Sequence, residues 1–461
     1  MHILLTGATG FIGQTLAREL FKDGHHLTIA SRRANALAAG DWGMPTEFLQ
    51  WDPATEPFPD SISIDTFDVV IHLLGESVAD GAWTPEKKRR IYDSRIASTQ
   101  HLGAAIAQRK TPLPCFIMAS AIGFYPFDEP RSYDESAAPG SHFLATVCRD
   151  WEAAGAAIKP VDRTVYLRIG VVLGADGGAL DAMRPAFETG AGGPLGAGQQ
   201  LMSWIHRDDL VRIIQTALKD ERYRGAINCV APQPVSNKDF SRALGRALGR
   251  PAAIPVPASL LRLALGEKAT LVLGSQAILP QKLSSLGFKY QYPELDQALA
   301  EACNHTVQYP MACRRYSAVQ FVPRPLPEVF AFFCDPYNLE KITPPLLSFK
   351  IKSISTTAVE QGTLIEYRLK VHGVPMHWRT RIEDWRVNEA FVDIQEAGPY
   401  RVWHHTHRFT AVPGGTLMED LVRFKVPFGP LGDLFGLPLV RRDVREIFRY
   451  RRQVIEKSFK A

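Results

Sequence analysis

The chain has 461 residues, with 53 Lys and Arg against 48 Asp and Glu and a net charge of +5. That length exceeds what one hydrophobic core organises and predicts two domains, each with its own core. The basic residues are dispersed except for a run from Arg441 to Arg452, which leaves no footprint for nucleic acid. No stretch reaches about 18 apolar residues free of charge and proline, and the MHILLTGATG start has no signal-peptide pattern, which predicts a cytoplasmic protein with no integral membrane association. The six cysteines form no CxxC pair and read as reduced, buried small hydrophobes.

From Met1 to about Leu299, short apolar runs alternate with helix-length segments. His2 to Thr6, His26 to Ala30, Val69 to Leu74, Cys115 to Ser120, Val165 to Arg168 and Ala226 to Val230 suit strands covered on both faces. Between them, Phe11 to Lys22, Pro85 to Gln108 and His142 to Ile158 suit helices, a rhythm that predicts an α/β fold with a parallel, doubly wound Rossmann sheet. The first strand runs into Gly7-Ala8-Thr9-Gly10-Phe11-Ile12-Gly13 and then a helix, the context in which such glycines serve a dinucleotide. The second strand ends in Ser31-Arg32-Arg33, where an NAD site would place an acid; a guanidinium there holds a 2′-phosphate, so the expected cofactor is NADP(H). Asp176 to Gln200, crowded with glycine, is expected as a long loop.

Asn304 to Arg315 lack periodicity, and the domain boundary is placed there, giving domains at 1–303 and 316–461. The second part opens with the strand-like YSAVQFV and a helix after Pro325. Alternating segments follow at Phe349 to Ile354, Leu364 to Lys370, His377 to Trp385, Phe391 to Gln395, Val402 to Phe409 and Thr416 to Phe424. It closes on a helix with Val440, Val444, Ile447, Phe448, Val454, Ile455 and Phe459 at helical spacing. An antiparallel sheet wrapped on a terminal helix, an α+β fold, is the expectation.

GATGFIG, IHLLGES, WTPEKKRRIYDSRIAST, SAIGFYP, LRIGVVLGADGGAL and GGPLGAGQQLMSWIHRDDL resemble an atypical short-chain dehydrogenase/reductase of the NAD-dependent epimerase/dehydratase-like family, over nearly all of residues 1–299. PLPEVFAFFCDPYNLEKITPP, GTLIEYRLK, GPYRVWHHTHRF and VPFGPLG are similar to the SRPBCC (START-like) ligand-binding superfamily over about 316–461, which implies a helix-grip fold enclosing an apolar cavity for an apolar ligand. The first resemblance implies that Gly7, Thr9, Gly10, Phe11 and Ile12 contact the pyrophosphate, with Gly13 packing the helix on the strand. It implies that Ser31 and Arg32 take the adenosine phosphate, that Asp52 lies on the adenine side, and that Leu74, Gly75 and Glu76 lie near the ribose and nicotinamide, with Arg95 facing the cofactor.

The broader short-chain group transfers a proton through a Tyr and a Lys four residues later; the corresponding helix here carries Phe143 and Val147. Tyr125 is then the expected replacement acid, and Ser120, at the end of the fifth strand, the group that polarises a carbonyl. His206 reads as the start of a helix beside Asp208 and Asp209. Of His404, His405 and His407, the last two share a strand face, and with no further ligand at useful spacing no metal is expected; polar lining of an apolar cavity explains them. Two functions follow: an NADP(H)-dependent oxidoreductase or epimerase-like enzyme on a small or apolar carbonyl or hydroxyl compound, or a non-catalytic NADP(H)-binding regulator.

Overall fold

The computed structural model describes residues 1–38, 42–127 and 131–460. Seven strands form the first sheet: β1 His2–Thr6, β2 His26–Ser31, β3 Glu47–Gln50, β4 Val69–His72, β5 Cys115–Ala121, β6 Thr164–Ile169 and β7 Gly225–Cys229. Their spatial order is β7-β6-β5-β4-β1-β2-β3, and every neighbouring pair is parallel. Alternate residues of each strand feed two cores. Ile3, Leu5, Ile71, Ile117 and Leu167 pack under Leu16 and Leu20 of helix α1 (Phe11–Lys22), whereas Leu4, Val70, Phe116 and Met118 pack under Ile91, Leu102 and Ile106 of α2 (Pro85–Ile106) and Trp151 of α3 (Phe143–Ala156). Burying each such side chain contributes about 1.5–3 kcal/mol, so both faces of the sheet stabilise it. The strand order reverses between β1 and β4, and a crevice at their carboxyl ends is the expected ligand position of such a sheet.

The glycine-rich segment departs from the expected loop: Gly178–Glu188 is a helix, α4. Its glycines cluster at the two ends, and Leu180, Met183 and Phe187 between them have helical spacing and pack into a separate core with Trp204, Phe240, Leu244 and Leu299. Helices α5 (Arg207–Lys219) and α6 (Leu295–Ala302) are two of the further helices of the first domain.

The second sheet is antiparallel throughout, built from β8 Arg314–Val322, β9 Lys350–Ile354, β10 Leu364–Val371, β11 Val374–Arg386, β12 Ala390–Ala397, β13 Val402–Val412 and β14 Gly415–Lys425. Its order is β8-β14-β13-β12-β11-β10-β9. The β10–β11 hairpin turns on His372 and Gly373, both at positive φ (50° and 82°), the pair of left-handed residues that matches strand twist. Helix α7 (Leu326–Cys334) and the long α8 (Gly429–Ser458) pack on this sheet through Phe330, Val444, Phe448 and Ile455. This is the helix-grip arrangement. No helix among the described residues is long and apolar enough to cross a membrane.

The two domains share core. Val412 and Leu417 of the second sheet join the cluster under α1, and Phe21 meets Phe321 edge-to-face at 6.1 Å. Arg18 and Lys22 of α1 pair with Glu419 of β14 at 3.1 and 2.6 Å.

Candidate functional site

Gly7 has φ +75°, and a Cβ there would lie 2.8 Å from the Leu73 carbonyl, so the turn after β1 is pressed against the chain leaving β4. A Cβ on Gly13 would lie 2.2 Å from the Gly7 oxygen, which is why the helix can close on the strand only with glycine. Gly10 caps α1 in extended conformation without a side-chain acceptor, and no acid stands in the first turn, leaving backbone N–H groups to meet an anion. Thr9 and Ile12 flank this turn. The Phe11 ring turns toward Gly174, Gly177 and Gly178 with the Arg207 guanidinium 5.1 Å from its centroid, so α1 begins under the loop that leads into α4.

Ser31 ends β2 and accepts from the Arg33 N–H at 3.2 Å; Arg32 is exposed, its carbonyl held by Gln50 Nε2 at 2.6 Å. Asp52 follows β3, where Trp51 N–H donates to the Ser31 carbonyl. After β4, Leu74, Gly75 and Glu76 line the facing side. The Arg95 guanidinium lies flat on Gly75, where a Cβ would come within 2.9 Å; it donates to the Ile91 carbonyl at 2.9 Å and makes no ion pair among the described residues. Glu76 accepts from Lys87 Nζ at 2.7 Å; that bond, with Lys87, Arg90 and Arg32 nearby, holds its carboxyl below the ordinary range despite some burial. Beneath the crevice His72 bridges Thr6 and Ser98 at 2.8 and 3.0 Å, and burial lowers its pKa to about 3, keeping it neutral. Lys87 and His72 stand inside the IHLLGES and WTPEKKRRIYDSRIAST segments, but nothing in those segments marks either as a site residue; only the fold brings them under and beside the crevice.

The polar centre beyond β5 is a chain of buried bonds. Ser120 Oγ donates to Glu152 at 2.6 Å; Glu152 takes a two-pronged pair from Arg168 (2.9 and 2.8 Å); Arg168 donates to the Tyr125 hydroxyl at 2.8 Å; and Tyr125 donates to Asn228 at 2.7 Å. Sequence reading put Tyr125 forward as the acid. The structure places its phenol fully buried, already engaged as donor and acceptor, and pushed up to about 12 by burial despite Arg168; Glu152 and Arg168 stand between it and Ser120. Phe143 opens α3 with its ring edge-on to Trp83 at 5.5 Å and Lys88 Nζ 5.1 Å from its centroid; Val147 is buried in the core one turn on. His206 caps α5 from within the core and bonds Glu301 at 2.9 Å.

The second domain encloses a cavity of about 220 Å³ lined largely by apolar side chains such as Phe333, Ile365, Trp378 and Trp403. His405 and His407 do line it, and His404 does not. The expectation that further ligands are lacking needs correction. Strand register sets Asp393 opposite His405 and Asp420 opposite His407, carboxylates from neighbouring strands that no spacing along one strand reveals. Burial alone would raise the Asp420 carboxyl, but Arg451 and the two histidines hold it well below the carboxylate range.

Comparison with known proteins covers both halves. Residues 3–229 match the family described as NAD dependent epimerase/dehydratase, 256–302 a domain of unknown function, and 322–449 the family described as polyketide cyclase / dehydrase and lipid transport. The chain is 38% identical over 304 residues to "Epimerase family protein SDR39U1 homolog, chloroplastic" of Arabidopsis thaliana, covering 65% of this chain and 86% of that one. It is 34% identical over 306 residues to "Epimerase family protein SDR39U1" of Bos taurus, covering 65% and 99%. The crystal structure of the human SDR39U1 (isoform 2), which contains NADPH, superposes with a TM-score of 0.58 at 33% identity, covering 66% of this chain and 99% of that one. With its Gly7–Gly13 turn at the switch point of a seven-stranded parallel sheet, the chain belongs to the NAD dependent epimerase/dehydratase family, carrying a second, START-like domain behind it.

Proposed function

We propose that the first domain binds NADP(H) and acts as an oxidoreductase or epimerase-like enzyme on a small or apolar carbonyl or hydroxyl compound. The observation that carries the reading is the end of β2: Ser31 and Arg32 stand where an acid would favour NAD, beside a pyrophosphate turn whose Cβ-free positions are sterically required. The NADPH of the human relative supports it. Bound there, the nicotinamide supplies or accepts a hydride. Gly7, Thr9, Gly10, Phe11, Ile12 and Gly13 form the pyrophosphate turn, Arg32 takes the 2′-phosphate, Asp52 flanks the adenine, and Leu74, Gly75, Glu76 and Arg95 form the wall on the ribose side. Ser120 turns its hydrogen from Glu152 to a substrate oxygen, and Tyr125 acts through Arg168, which fixes Glu152.

Purified protein should carry or bind NADPH at least about tenfold more tightly than NADH, a difference of about 1.4 kcal/mol, and Arg32→Asp should abolish that preference. Equal or tighter NADH binding by the native chain would overturn the cofactor assignment. A panel of aldehydes, ketones and quinones, read by NADPH oxidation, tests the chemistry. The engaged Tyr125 phenol favours the second reading, an NADP(H)-binding regulator, and nucleotide retained without turnover on any of them would select it.

A further inference from the structure

We propose that Asp393, His405 and His407 form a divalent transition-metal site at the wall of the second domain's cavity, with its open position taking the anionic oxygen of an apolar acid. The inference is independent of the cofactor reading and rests on four side chains from three strands.

Asp393 Oδ2 lies 3.5 Å from His405 Nδ1 and 3.0 Å from His407 Nε2, and one donor atom from each of the three residues lies within 4.8 Å of the others. Donors to one zinc-like ion at about 2.0–2.2 Å stand about 3–3.5 Å apart, so the set needs little movement to close on a cation. The remaining nitrogens look away from this point to a single atom: His405 Nε2 and His407 Nδ1 lie 2.9 and 2.8 Å from Asp420 Oδ1. A carboxylate behind each ligating imidazole fixes its tautomer and ring orientation, and its presence behind both is the arrangement that metal-bound histidines need. Asp420 does not line the cavity, whereas Asp393, His405 and His407 do, so the three donors have a free side open to a ligand and the fourth group stays behind them.

Charge indicates what that ligand is. Arg451 lies 3.6 Å from Asp420 and balances it. A divalent ion on Asp393 and two neutral imidazoles leaves one net positive charge at this wall of a largely apolar chamber, whose other charged lining groups are Arg451, Asp335 and Asp443, and a carboxylate or another anionic oxygen neutralises it. Trp378, Trp403 and Phe391 then cover the apolar body of the acid. A closed structural site would have a fourth protein donor; three donors and an open side are the pattern of a site that exchanges ligands.

The 461-residue chain, stripped with a chelator and shown to retain NADPH binding and its far-UV spectrum, is titrated with Co²⁺. The expected result is one equivalent per chain with visible absorption of a low-coordinate cobalt centre, displaced by Zn²⁺. Asp393→Asn and His405→Gln should each weaken binding about 100-fold or more, and Asp420→Asn about 10–100-fold. His26→Asn, in a surface His2–His26–Glu47 group of similar donor spacing, should leave it unchanged. Octanoate should shift the cobalt spectrum. Failure of the stripped native chain to bind Co²⁺, binding that survives Asp393→Asn and His405→Gln, or binding lost with His26→Asn overturns the metal site; an unchanged spectrum with octanoate overturns the ligand class.

Discussion

Tyr125 shows how much a single side chain's role depends on its bonds. Its hydroxyl satisfies Asn228 and Arg168 at once, and Arg168 in turn holds Glu152 on Ser120. Tyr125→Phe therefore leaves a buried amide oxygen and a guanidinium N–H short of partners, a loss of about 1–3 kcal/mol that lowers the unfolding midpoint while NADPH affinity stays at the native value. A variant with unchanged melting would show that the phenol does not support this network. Arg168→Ala should be harsher, about 3–5 kcal/mol, because it strands the Glu152 carboxylate in the interior. Gly13→Ala places a methyl group 2.2 Å from a backbone oxygen, and NADPH binding should fall beyond detection in whatever fraction folds. Ready binding by that variant would deny the turn its part in the cofactor site.

At the level of elements, the apolar runs named β1, β2, β4, β5, β6 and β7 to within a residue or two because strands buried on both faces are nearly continuous in apolar residues. β3, only Glu47–Gln50 at the sheet edge, has no such run and was not legible. α4 was hidden by glycines at its ends, although Leu180, Met183 and Phe187 carried its period. The cofactor turn could be read because one short segment supplies it whole. The Ser120–Glu152–Arg168 network and the Asp393 and Asp420 carboxylates could not, since strand order and register bring them together from distant segments. The His206 cap of α5 ties α6 through Glu301, whose carboxyl burial would raise, but which the His206 bond and Arg315 and Arg207 bring down to about 2 from an ordinary 4.5. The unfolded chain binds a proton at that group while the folded chain does not, so its stabilisation is full above pH 4.5 and is lost as pH falls toward 2. The stability gap between the native chain and Glu301→Gln should accordingly narrow across that window; an offset constant down to the acid limit would contradict the pairing.

The shared core makes the whole molecule one cooperative body. Val412 and Leu417 lie in the first domain's cluster, and the Glu419 carboxylate, little exposed, meets both Arg18 and Lys22. Heating should give one transition, raised as a unit by NADPH; Glu419→Ala should separate it into two, of which NADPH raises only that of the first domain. Two transitions in the native chain, or one in the variant that nucleotide moves entire, would speak against coupling through this contact.

Helix α1 is only 12 residues long, yet its first turn carries the glycine turn and its last two turns are bonded to β14. A short helix is a stiff rod, so it serves as a gauge between the two domains, a task it shares with Glu188 and Asp176, which meet Arg314 and Arg315 at the start of β8. A hybrid joining a relative's first domain to this second domain would need a basic pair at positions 18 and 22 on that helix face and acids at positions 176 and 188, so the compatibility of the two parts is written both on α1 and where the chain enters β8.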